Sequence, residues 1–403
     1  MPLNVIIGAQ WGDEGKGRIV DAVASEADAV VRFQGGPNAG HTVYIGEEKY
    51  VFHLIPMGIL NEGTLCCISL GVVVDPIILL NEIIELEQRG ILVKGRLLID
   101  PRCSLITPEH IKRDKNREHS LGQRKLGTTQ RGIGPAFSDR AGRVGWRLGT
   151  LIGKIESGET LGLPESYLDA CLKLKSSLAD VSLIIYNMLN EGKSVIAEGG
   201  QGTMLDLGLG TYPYVTSTNT VAAAAPVSLG LSPRSVDSVI GVLKAYVTRV
   251  GEGPFPTEIE GAAADKMREE GDEYGATTGR PRRCGWFDGV IAKYAARVNG
   301  IDEWALTKLD VLDHFDPIFA AVAYEIDGER ADELPLNTDT IYKAKPVYHR
   351  FPGWKTSTRM ARKIEDLPFG ARAYLDFIQE FTGVRLGIVS VGYERKCMIR
   401  LEN

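Results

Sequence analysis

Apolar residues along this chain change their spacing repeatedly, and the changes divide it into strands and helices. Leu3 to Ile7 is a short, β-branched apolar run that ends in glycine, so it reads as a buried strand feeding a loop from Gly8 to Gly17, with a helix from about Arg18. Further strand-type runs are Ala29–Phe33, Tyr50–Leu54, Leu65–Leu70, Leu97–Ile99, Ser194–Ala197, Val239–Ala245, Trp304–Thr307, Ile318–Ala323 and Leu386–Ser390. Apolar residues recur at three and four in Ile77–Gln88, Tyr167–Leu178, Ala179–Leu189, Phe287–Val298 and Ala371–Thr382, which predicts helices there. Strands alternating with helices define an α/β fold with a mainly parallel central β-sheet flanked by helices, in which ligands gather at the carboxyl ends of strands. No internal repeat, low-complexity tract or flexible linker interrupts the pattern, so residues 1–403 read as one elaborated domain.

Composition narrows the class. The 403 residues are 44% hydrophobic, enough for a large core, and the formal charge of −6 argues against a non-specific nucleic-acid binder. Any phosphate site is therefore local. Six cysteines show neither CxxC pairs nor metal-like spacing, which reads as reduced, buried thiols. The start lacks a basic region and a small-residue cleavage site, and no apolar run reaches the ~18 residues of a membrane span, so a cytoplasmic protein without membrane contact is expected.

The segment GAQWGDEGKGR, Gly8 to Arg18, orders a strand, a glycine-rich turn, a lysine and a helix start. That arrangement cradles phosphates: backbone N–H groups and the helix dipole meet the anion, and Lys16 adds a full charge. It is P-loop-like without being a Walker A sequence, because six residues separate Gly8 from Gly15, and Gly17 stands where a Mg²⁺-binding Ser or Thr would be. Asp13, inside the loop, is the obvious oxygen for the metal instead. A second loop, QGGPNAGHTV from Gln34 to Val43, again follows a strand; beside Asn38, Gly40 and Thr42, His41 is a candidate general acid. These glycine-rich loops are long, as functional loops tend to be.

The segments GAQWGDEGKG, GGPNAGHT, GTTQRGIGPA, EGGQGT, GTYPYVTS, RVGEGPFPTE, ATTGRPRR and TKLDVLD stand in the order and spacing of the adenylosuccinate synthetase family, and the resemblance runs from the first strand to the last. It implies a GTP-dependent, GDP-forming ligase of purine biosynthesis. GTP would phosphorylate the 6-oxygen of inosine monophosphate (IMP), and the amino group of L-aspartate would displace that phosphate to give adenylosuccinate. The resemblance further implies a homodimer with one Mg²⁺ per site.

Carried over by motif, Asp13 is the base and a Mg²⁺ ligand, with the Gly40 carbonyl as the second ligand; His41 is the acid, and Lys16 and Gln201 complete the catalytic set. IMP would be met by Asp13, Glu14, Gly15, Lys16, Asn38, Ala39, Gly40, His41, Thr129, Gln201, Thr216 and Arg280, and by Arg143 reaching across from the other subunit. GTP would be met by Gly12 to Arg18, including Gly17, by Gly40, His41 and Thr42, and by Arg282. TKLD resembles the guanine-reading NKxD of GTPases, so Lys308, Leu309 and Asp310 would choose the base, with Ser390, Val391 and Gly392 packing its other side. Aspartate would sit on Ala276, Thr277, Thr278, Gly279, Arg280, Pro281 and Arg282, whose arginine forks suit carboxylates.

Pro37, Gly200, Pro281 and Val391 depart from the commoner family pattern without removing a catalytic group. The stretch from Arg147 to Gln201 is shorter than in typical bacterial members, so a shortened peripheral helical region is expected around 150–192. Two rival readings are a related phage enzyme acting on deoxyguanylate, whose loop aspartate is serine, and a GTPase switch, which would explain Lys16 and TKLD but neither the arginine loop nor GTYPYVTS. An inactive structural protein is a third, and Asp13, His41, Gln201 and Arg280 argue against it.

Overall fold

The computed structural model describes residues 3–45, 48–122, 125–275 and 279–401. Among them a nine-stranded sheet is built from β1 (Leu3–Gly8), β2 (Ala29–Arg32), β3 (Leu65–Ile68), β4 (Leu97–Ile99), β5 (Val195–Glu198), β6 (Val236–Lys244), β7 (Glu303–Thr307), β8 (Arg385–Ser390) and β9 (Met398–Arg400). Its order is β9-β8-β7-β6-β1-β5-β2-β3-β4, and every neighbouring pair runs parallel except β8 with β9. Because the strands are parallel, the loops after β1, β2, β5, β6, β7 and β8 all leave from one edge of the sheet, the edge where such folds bind ligands.

Both faces of the sheet are covered, as the near-continuous apolar strands require. Alternation sends Val5, Ile7 and Val31 to one core and Ile6 and Val30 to the other. It also explains adjacent Cys66 and Cys67: they point to opposite faces, and each of the six cysteines is buried and unbridged. Among the described residues no helix is long and apolar enough to cross a membrane.

The expected strands and helices are present, with instructive shifts. The first helix, α1 (Lys16–Ala24), begins two residues before Arg18, directly behind Gly15 in the left-handed conformation. The run at 50–54 is the second strand of a hairpin, Glu48–Phe52 against His41–Ile45, and the run at 318–323 belongs to a separate sheet, so neither joins the central one. The helix expected from Tyr167 to Leu178 ends at Lys173 and continues as a 3-10 turn.

Helix α2 (Pro76–Gln88) follows its N-cap, Asp75, which accepts from the N–H groups of Ile77 and Ile78. From the buried side of α2, Glu82 accepts the backbone N–H groups of His53 and Leu54, fixing the chain as it leaves the hairpin. Burial pushes its carboxyl up to about 7 from an ordinary 4.5, against the pull of those amides. An acid whose folded pKa lies above its unfolded value withdraws stability as pH rises from the lower value to the higher and no more beyond. Glu82→Gln, which keeps an acceptor and cannot ionise, is therefore expected to gain on the native protein by about 2 kcal/mol between pH ~5 and pH ~8. Thermal melts at the two pH values check this, and an equal difference at both would contradict it.

Candidate active site

The loop after β1 is shaped from inside. Gly12, Asp13 and Gly15 take φ of 86°, 58° and 90°, a left-handed path that glycine follows freely and aspartate only under constraint. The constraint is the fully buried Glu14: one carboxylate oxygen accepts from the N–H groups of Gln10 (3.0 Å) and Gly12 (2.9 Å), and the other takes Lys16 Nζ at 2.7 Å. Gly17 has its own reason to be glycine, since a Cβ there would stand 2.8 Å from His41 Cβ. The position where a Walker loop keeps its hydroxyl is occupied here by the histidine of the second loop.

His41 opens the hairpin, and its Nδ1 lies 2.7 Å from Oε1 of Glu198, the last residue of β5. The other Glu198 oxygen accepts the N–H of Met57 at 2.9 Å. Burial lowers the His41 imidazole below its ordinary range, and Glu198 pulls the other way without reversing it. For Glu198 burial acts upward, but the His41 hydrogen bond and the charges of His41 and Arg32 more than offset it and hold the group ionised. The Nδ1 proton is therefore donated to Glu198, which fixes the tautomer and leaves Nε2 for chemistry. The motif EGGQGT marked this segment, but only the fold reveals the work of Glu198.

Gln201 stands between the two glycine loops. A Cβ at Gly8 would meet its carbonyl at 2.5 Å, and one at Gly35 would meet its side-chain amide at 3.1 Å. Its own φ is 51°. Both ends of that amide are buried without a hydrogen-bond partner, as are Oδ1 of Asn38 and Oε1 of Gln34. Buried polar groups in proteins are nearly always satisfied, so this group of orphans marks a place for a polar ligand.

A third loop is drawn to the same place. Helix α3 (Pro108–Leu121) turns Asp114 and Glu118 inward, where Glu118 accepts from the N–H of Gly127 (2.9 Å) and Thr128 (3.2 Å) and Asp114 from that of Gly132 (2.9 Å). Arg131 of this loop donates to the Pro37 carbonyl at 2.8 Å, joining GTTQRG to GGPNAG. Thr129 is exposed on the loop, and Thr216 is half-buried on a segment whose next residue, Ser217, lies 3.3 Å from where a Gly134 Cβ would be.

On the other side, Asp13 Oδ2 is ion-paired with Arg282 Nε at 2.9 Å, and Arg282 Nη1 donates to the fully buried Glu273 at 2.6 Å. Burial lowers Arg282, but Asp13 and Glu273 outweigh it and hold the guanidinium charged. Lys308 follows β7 at φ 59° and also donates to Glu273. Asp310, largely buried, is paired with Arg359 at 3.2 Å. Arg18 of α1 donates to the Glu394 carbonyl at 2.7 Å, so the loop beyond Ser390, Val391 and Gly392 closes on the first helix.

Ala276, Thr277 and Thr278 lie outside the described residues, while Gly279, Arg280 and Pro281 are exposed ahead of the short strand Arg283–Gly285. Arg143 is exposed at the far end of helix α4 (Ile133–Gly142), about 15 Å by helix rise from the third loop at its start.

A strand, a glycine loop with a lysine and a helix start, together with a histidine hydrogen-bonded to a buried carboxylate and orphaned amides, define a nucleotide-binding enzyme of the parallel α/β class. A family profile described as adenylosuccinate synthetase matches residues 5–399, and the chain belongs to that family. Adenylosuccinate synthetases of Carboxydothermus hydrogenoformans (47% identical over 425 residues, 100% of this chain and 99% of that protein) and Geotalea daltonii (46% over 423 residues, 99% and 98%) are similar throughout. The fully ligated adenylosuccinate synthetase of Plasmodium falciparum superposes with a TM-score of 0.92 at 34% identity over 100% of both chains. The cyanophage S-2L succinoaminodeoxyadenylate synthetase bound to dGMP and dATP shares the fold, with a TM-score of 0.68 at 22% identity over 100% of this chain and 96% of that one.

Removing the charge of Glu198 should be visible at His41. Glu198→Gln takes away the interaction that raises the imidazole, so the His41 pKa is expected to fall further below its ordinary value. Titration of the imidazole resonances by NMR checks this, and an unchanged midpoint would show that the pair is not coupled.

Proposed function

We propose that this centre ligates L-aspartate to IMP, with GTP phosphorylating the 6-oxygen of IMP before the aspartate amine displaces that phosphate. Family membership makes the chain a GTP-dependent, GDP-forming ligase of purine biosynthesis. The observation that carries the site assignment is the orphaned Gln201 amide, set between the two glycine loops that bear Asp13, Lys16, His41 and the likewise orphaned Asn38 oxygen. A purine edge offers the donors and acceptors those amides lack.

In this reading Asp13 takes the proton from the ring nitrogen beside the 6-carbonyl, while Lys16, the loop amides and the α1 N-terminus stabilise charge on the transferring phosphoryl group. His41, oriented by Glu198, meets the 6-oxygen side as acid. An anionic phosphate nearby would raise its depressed pKa, so that the imidazole takes up from solvent the proton that role needs. Asn38, Thr129, Thr216 and Arg280 contact IMP; Lys308 and Asp310 read guanine; Arg280 and Arg282 take the carboxylates of aspartate.

Among the described residues no three or more His, Cys, Asp or Glu side chains gather to cage a metal. That suits Mg²⁺, which keeps waters and substrate phosphates as most of its ligands and needs only one or two carboxylates. Asp13, a third exposed, and the Gly40 carbonyl fit it. Bound there, Mg²⁺ would neutralise phosphate charge. The same reading makes the protein a cytoplasmic homodimer, one domain over residues 1–403 with the helices between 150 and 192 at its periphery.

The test is to incubate the protein with IMP, L-aspartate, GTP and Mg²⁺ and follow the ultraviolet difference signal of adenylosuccinate, omitting each in turn and substituting ATP. Product requiring all four is expected, and Asp13→Ala should lower turnover by ~10³-fold or more without lowering the melting temperature. GTP hydrolysis without product would favour a switch instead.

Arg143 tests the dimer. Arg143→Leu is expected to raise KM for IMP, and mixing it with Asp13→Ala should restore activity through hybrid dimers that keep one complete site. No recovery on mixing would confine each site to a single chain.

A further inference from the structure

Glu273 is a fully buried carboxylate that none of the steps above uses. Its Oε1 accepts from Lys244 Nζ at 2.8 Å, Lys308 Nζ at 2.8 Å and the Tyr246 hydroxyl at 2.5 Å, and its Oε2 accepts from Arg282 Nη1 at 2.6 Å. Three cations thus share one carboxylate. Lys244, itself fully buried on β6, balances the charge. The other two reach outward: Lys308 is 28% exposed and opens the TKLD turn, while Arg282 holds Glu273 with one nitrogen and Asp13 with another. The backbone repeats the link, since the Arg282 N–H donates to the Glu273 carbonyl at 2.9 Å and Tyr274 bridges to Pro281.

We propose that Glu273 is a positioning residue that ties the GTP corner to the aspartate corner, holding Lys308 and Arg282 in one fixed geometry so that the two affinities depend on each other through it. The inference rests on the reading of Lys308 and Asp310 as guanine contacts and of Arg282 as an aspartate contact. Its physical basis is that a fully buried carboxylate cannot release one cation without strengthening its hold on the others, so a ligand that moves Lys308 changes the grip on Arg282. IMP is met mainly by the loops around Asn38 and Gln201 and is linked to Glu273 only at second hand, through the Asp13–Arg282 pair, so its binding is the least affected by the coupling.

Glu273→Gln alone would strand Lys244 as a buried charge, so the test pairs it with Lys244→Met, which keeps the bulk and removes that charge. Melting temperature, KM for each substrate, and the affinity for GTP with and without aspartate are measured beside the native protein. In the folded double variant KM for GTP and for aspartate should each rise about tenfold, KM for IMP should stay within about threefold, and the effect of aspartate on GTP affinity should disappear. Glu273→Asp, which keeps the charge and shortens the reach, should show the same pattern at smaller amplitude. KM values for GTP and aspartate within about twofold of native in either variant overturn the inference. An equal rise in all three KM values also overturns it, because general loosening of the site gives that result. Native protein that makes no adenylosuccinate overturns the reading of the site and this inference with it, whereas active native protein with an unmoved variant overturns the inference alone.

Discussion

A carboxylate withdrawn from water must be surrounded by donors, and that requirement shapes three of the glycine-rich loops of this protein. Such loops have almost no apolar side chains with which to pack. Their form comes instead from buried acids that accept their backbone N–H groups: Glu14 for the loop after β1, Glu118 and Asp114 for 126–132, and Asp206 for the N–H groups of Gly208, Leu209 and Thr220. Glu198 and Glu273 extend the scheme to side chains, the first with a histidine and the second with three cations. Low local dielectric strengthens each of these contacts, so a segment with high intrinsic freedom is held in one conformation. Positive φ at Asp13, Gln201 and Lys308 shows the result, since each non-glycine residue is kept where it would not stay unaided.

The same scheme explains what was legible in the sequence. Strands with continuous apolar runs and helices with apolar stripes, such as α2 and Phe369–Thr382, were visible from spacing alone. Helix α3 was not, because its buried stripe is His110, Asp114 and Glu118, which has helical period but reads as a polar surface. The hairpin from His41 to Phe52 carried a strand signal whose partner lay outside the central sheet, and a one-dimensional pattern does not choose partners. At the site, glycine loops, Lys16 and TKLD announced themselves by motif. Glu198 and Glu273 did not, because what they do depends on side chains brought together across 157 and up to 35 positions of chain.

The loop after β1 differs from a Walker loop for a steric reason. His41 packs over α1 so closely that position 17 tolerates no Cβ, and a hydroxyl there would displace the imidazole from Glu198. An imidazole paired with Glu198 and a P-loop hydroxyl are mutually exclusive in this geometry. In the proposed reading the oxygen for the metal comes from within the loop instead, and Asp13, at φ 58° and partly exposed, is the acid available there.

Asp13 and Asp310, the two acids assigned to ligands, share a feature that separates them from Glu14, Glu198 and Glu273. Each is held by an arginine, Asp13 by Arg282 at 2.9 Å and Asp310 by Arg359 at 3.2 Å. Each pair has one partner open to solvent, Asp13 at 33% and Arg359 at 54%, so its net strength is on the order of 0–1 kcal/mol. A cation or a guanine base can displace an arginine held that weakly. Breaking one of the enclosed pairs would instead leave a buried charge unmatched at a cost of about 3–5 kcal/mol. Exposure of the pair as a whole, not of the acid alone, thus divides the acids of the site into two classes. Enclosed ones fix the loops permanently, and those whose pair opens to solvent are each aimed by an arginine that a ligand can displace.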